Sequence, residues 1–74
     1  MRDDTYVVWY DGTTQPVTAK ILAAVENFRR RFPNATRPIR VLVHPSQVID
    51  VEGVTVEPGS YVQANTYWVM EEQA

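Results

Sequence analysis

The stretch from Pro16 to Phe32, PVTAKILAAVENFRRRF, decides how the rest of the chain is read. Its apolar residues Val17, Ile21, Val25, Phe28 and Phe32 recur at spacings of four, four, three and four, which places them on one face of a helix. Thr14 stands where a cap belongs. Pro16 falls in the first turn, where a missing N–H costs nothing. Arg29, Arg30 and Arg31 close the segment at the end where the helix dipole favours cations, and Glu26 precedes Arg30 by four residues. Pro33-Asn34 ends it. An amphipathic helix with one apolar stripe must bury that stripe against another layer, so the flanking segments are expected to supply a sheet.

Upstream, Thr5 to Tyr10 (TYVVWY) is rich in β-branched and aromatic residues and stops at Asp11-Gly12, so it reads as a strand running into a turn. Downstream, Ile39, Val41 and Val43 alternate with Arg40, Leu42 and His44, the period-two pattern of a second strand bounded by Pro38 and Pro45. Residues 46–51 fit a short helical turn or an extended segment equally well. Glu52-Gly53 marks a turn, Val54 and Val56 alternate with Thr55 and Glu57, and Pro58-Gly59 occupies the centre of what reads as a type II turn. Tyr61 to Met70 is then the returning strand of a hairpin, kinked near Asn65, with a polar tail from about residue 71. The expected architecture is α+β: a single domain over residues 1–74, with a small mixed sheet in β-α-β-β-β order and one amphipathic helix packed on one face. The helix is expected to join strands one and two as parallel neighbours.

Face assignment is where the pattern turns ambiguous. Strand two separates apolar from mostly polar residues, and so does strand three. Strand one is apolar in both Tyr6/Val8/Tyr10 and Val7/Trp9, and strand four in both Tyr67/Val69 and Trp68/Met70. One helix cannot cover two faces of a sheet. Parity assigns Trp9, Leu42, Trp68 and Met70 to the uncovered face, with either face of strands one and four open as the inner one.

Composition narrows the chemistry. The 74 residues are 45% hydrophobic and 22% charged, ordinary globular usage. With no cysteine, disulfides, thiolate catalysis and cysteine-ligated zinc are excluded. The first residues lack a basic start followed by an apolar run, and no apolar stretch approaches the roughly 20 residues of a membrane span, so a cytoplasmic protein without membrane contact is expected. His44 is the sole histidine, followed by Pro45-Ser46. A base beside a hydroxyl is not a hydrolase, because a triad also needs a group that orients the base and a turn that presents the nucleophile. His44 reads instead as a half-exposed strand end, with Ser46 capping the next turn. Asp3, Asp4, Asp11, Asp50, Glu52 and Glu57 are scattered over strand ends and turns without the spacing of a cation loop. The isolated glycines Gly12, Gly53 and Gly59 offer neither a dinucleotide fingerprint nor a phosphate loop. No catalytic residue, metal ligand or cofactor is therefore expected.

Two surface features remain. Arg29, Arg30, Arg31, Arg37 and Arg40 form a basic cluster that could meet phosphates, and with exposed aromatics it would suit single-stranded nucleic acid, although the formal net charge of −2 opposes a field built for it. The surplus apolar face asks for less. The preferred expectation is a small non-enzymatic module that binds itself as a homodimer or binds another protein, as an accessory or regulatory subunit would. Nucleic-acid binding is the alternative.

Overall fold

A computed structural model describes residues 6–72. Thr5, Asp3, Asp4 and the last two residues of the polar tail lie outside the described residues. The element order is β1 (Tyr6–Tyr10), α1 (Val17–Arg31), β2 (Ile39–Val43), a 3-10 turn at Pro45–Gln47, β3 (Val54–Pro58) and β4 (Thr66–Glu71). One helix packs against a four-stranded mixed sheet, the α+β arrangement that the periodicities call for.

The helix buries Ile21, Ala24, Val25 and Phe28 against the sheet. At roughly 1.5–3 kcal/mol for each large side chain removed from water, this stripe is the main force holding the two layers together. Its N-terminal cap is Pro16, without a side-chain hydrogen bond, so Thr14 is not the cap. The segment before it is organised by Asp11, whose Oδ1 accepts from the Thr13 N–H at 2.9 Å in an Asx turn. The helix ends as the arginine-rich last turn requires, with the Phe32 N–H donating to the Phe28 carbonyl at 2.9 Å.

The strand order is β1-β4-β2-β3. β1 and β2 run in the same direction, yet they are not neighbours, because β4 lies between them, antiparallel to both. The expected hairpin between β3 and β4 is absent from the described residues: β3 pairs in parallel with β2 at the far edge. Instead of turning back at Pro58-Gly59, the chain prolongs the parallel ladder there. The Gly59 N–H donates to the Val43 carbonyl at 2.9 Å, and Gly59 lacks the positive φ a type II turn needs at its third position. The reversals fall elsewhere. Val54 N–H donates to the Val51 carbonyl across Gly53, whose φ of 81 fits glycine, and Thr66 N–H to the Gln63 carbonyl across Asn65, whose φ is 64. Asn65 is thus the kink before β4, and Glu71 still belongs to that strand.

Residues 46–51 resolve as the 3-10 turn followed by an extended Val48 and an isolated bridge from Val51 to Val54. The register then sorts the side chains. Val7, Val69, Val41 and Val56 form one inward row, and Trp9 opposite Tyr67 another, all on the core side of the sheet. Among the described residues, no helix is long and apolar enough to cross a membrane.

Candidate functional site: the uncovered sheet face

Strand residues alternate between faces, so the inward rows leave two rows pointing away from the helix. The first runs Tyr6, Met70, Arg40 and Thr55, and the second Val8, Trp68, Leu42 and Glu57. Tyr10 continues the set at the end of β1, with 71% of its surface exposed. Leu42, Trp68 and Met70 thus occupy the face that parity assigned them. Trp9 does not. It stands opposite Tyr67 and packs against the core, because its register partner is the most deeply buried aromatic of the fold. β1 therefore presents Tyr6, Val8 and Tyr10 outward.

Three aromatics organise the face. The Tyr6 and Trp68 rings stack with centroids 5.2 Å apart and planes within 9° of parallel. Tyr61, 62% exposed and carried by the turn before β4, meets Trp68 at 5.2 Å with planes inclined by 62°. Offset stacks and edge contacts of this kind add about 0.5–1.5 kcal/mol each beyond area burial, so they hold the cluster in a defined shape. Tyr61 was not visible in the alternation of β4, since it precedes the Asn65 kink; its only signal is an aromatic beside Gly59, whose missing Cβ leaves room near the Tyr61 ring and the buried Val62.

Among the described residues the face carries one ion pair and one further carboxylate. The Arg40 Nε donates to Glu57 Oε1 at 2.9 Å across the β2–β3 pair. The Thr55 hydroxyl donates to the Glu72 carboxylate at the same edge. The rest of the arginine cluster lies elsewhere: Arg29, Arg30 and Arg31 are exposed in the last turn of α1, on the layer behind the sheet, and Arg30 pairs with Glu26. Arg37 is exposed in the loop before β2, where its N–H donates to Glu71. Only Arg40 of the five shares the aromatic face.

His44 and Ser46 do come together. The His44 Nδ1 accepts from the Ser46 N–H at 3.0 Å and lies 2.8 Å from its Oγ. The cap of the 3-10 turn is thus His44, not Ser46, and with Nδ1 accepting, a neutral ring carries its proton on Nε2. Among the described residues no group of three His, Asp or Glu side chains is placed to hold a metal ion.

A second polar cluster sits on the helix side, at the ends of β1 and β2. Lys20, the single lysine, is only 4% exposed and its Nζ donates to Asn65 Oδ1 at 3.0 Å. Gln47 brackets the same residue, with Nε2 donating to Asn65 Oδ1 at 3.1 Å and Oε1 accepting from the Asn65 N–H at 2.8 Å. This clamp explains how a non-glycine residue holds a positive φ. Among the described residues the Tyr67 hydroxyl and the Trp9 indole N–H are buried without a hydrogen bond of ordinary geometry, the Gln47 side chain lying near the Tyr67 hydroxyl. Burial raises the Tyr67 phenol above the ordinary 10.0, with the Asp11 charge adding to it and the nearby Gln47 side chain opposing. Asp11 is held below 3.8 by the Thr13 side chain and N–H.

Fold and face together define a small α+β domain with a helix behind the sheet and an aromatic surface in front. No protein-family model, curated protein or solved structure matches this chain.

Proposed function

We propose that the chain is a non-enzymatic protein-interaction module, of the kind that serves as an accessory or regulatory subunit, and that it docks through the uncovered sheet face. The observation that carries this reading is the contiguous set Tyr6, Val8, Leu42, Tyr61, Trp68 and Met70 on the side of the sheet away from the helix. The exposed parts of Tyr6, Val8, Tyr10 and Tyr61 alone amount to about 450 Å² of side chain, as much as the largest apolar patch a monomer usually carries. Aromatics and methionine are also the types enriched at interface centres. A cytoplasmic setting belongs to this reading.

Nucleic-acid binding draws less support. Single-stranded nucleic acid needs cations beside open ring faces, whereas the one arginine that the described residues place on the face is paired with Glu57, and Tyr6 covers one face of Trp68.

The test compares two adjacent residues of β4. With the face free for docking, Trp68→Lys folds with a modest loss of stability and Tyr67→Lys, which puts a charge into the core, does not. If Trp68→Lys also fails to fold, as judged by far-ultraviolet circular dichroism and a cooperative urea transition, the face is part of the core and the proposal fails.

A further inference from the structure

We infer that the occupant of the open face is a second copy of this chain, packed sheet on sheet about a two-fold axis. This rests on the interaction reading and adds the identity of the partner. Three features select it. First, Arg40 and Glu57 are bonded to one another within each copy, so they enter a sheet-on-sheet contact as a neutral pair, with the Glu72 carboxylate held on Thr55 at the edge of the face. Second, the two charges sit in adjacent rows, Arg40 beside Met70 and Glu57 beside Leu42. A two-fold axis crossing the strands between these rows brings each Arg40 next to the partner's Glu57, so the same groups pair within and between copies. Third, the exposed aromatics with the half-buried Leu42, Trp68 and Met70 offer on the order of 600 Å² per copy, the low end of what specific association uses. A ring that stacks on Trp68 would have to displace Tyr6 or Tyr61.

The contact is therefore a weak, concentration-dependent dimer, read by sedimentation equilibrium of the full chain from micromolar to millimolar concentration. Expected are a wild-type dimer that dissociates on dilution, a monomeric Trp68→Lys, and a loss of affinity of about tenfold in Arg40→Glu and in Glu57→Arg alone. An equimolar mixture of the two charge variants, each checked for native circular dichroism, should recover the wild-type affinity as a heterodimer. A wild type that is monomeric at millimolar concentration overturns the inference; a folded Trp68→Lys would then still leave the face open for a different protein. A dimer that survives Trp68→Lys overturns it too, and would point to strand pairing at the β1 edge, where Tyr6 to Tyr10 carries no charge or proline to guard it. Failure of the mixed variants to associate better than either alone removes the two-fold pairing of Arg40 with Glu57 and with it the proposed geometry.

Discussion

Replacing Tyr67 with Phe should stabilise this protein, the reverse of what that change does at most buried tyrosines. A buried tyrosine whose hydroxyl is hydrogen-bonded loses about 1 kcal/mol on becoming Phe, since a net-favourable bond is removed. Tyr67 is fully buried, and its hydroxyl makes no hydrogen bond of ordinary geometry among the described residues: the Gln47 side chain near it is engaged with Asn65. Keeping such a group out of water without a bond costs about 1–3 kcal/mol. Deleting it recovers that penalty, less a few tenths of a kcal/mol for the small cavity left behind. The net expectation is a gain of about 1 kcal/mol, equivalent to a rise in Tm of about 4–8 °C for a domain this size. Urea unfolding followed by fluorescence measures it, and the m value should not change, because the surface exposed on unfolding is nearly the same. A loss of about 1 kcal/mol would refute the reasoning and show that the hydroxyl is bonded in solution. The same variant has a signature at alkaline pH. The Tyr67 pKa is raised on folding, so the stability tied to its neutral form is whole below 10.0 and is lost as pH rises through the folded value. Tyr67→Phe abolishes that part of the alkaline loss.

Two further outcomes are expected. Asp11 has its pKa lowered on folding, so its contribution is present above 3.8 and disappears as pH falls through the folded value; Asp11→Asn should flatten the acid limb of an unfolding-versus-pH curve, and an unchanged limb would assign that loss to other carboxylates. Gly53→Ala meets no atom within 4 Å, yet it should cost about 1 kcal/mol in thermal unfolding because φ is 81 there; Gly53→Asn should cost less, and equal costs would argue against a backbone origin.

Much of this could be read from local pattern. The spacing of Val17, Ile21, Val25 and Phe28 sets a helix of one amphipathic face whatever the surroundings, and helix bonds are local. The alternation of Ile39, Val41 and Val43 sets both a strand and its buried side, since a one-residue slip would expose all three. The excess of apolar residues in TYVVWY and TYWVM likewise announces more apolar surface than one helix can cover. Which strand lies beside which was not legible, because sheet hydrogen bonds join residues distant in the chain and backbone amides are alike in every strand. β1 and β4 are equally apolar on both faces, yet β4 takes the centre and β1 an edge, so composition alone could not rank them. That pairing put Trp9 on the core side of the sheet and Trp68 on the open side, placed Tyr61 against Trp68, and brought Arg40 to Glu57. The local chain thus determined the elements and the surplus of apolar side chains, while the tertiary pairing of β4 between β1 and β2 decided which of those side chains remain uncovered.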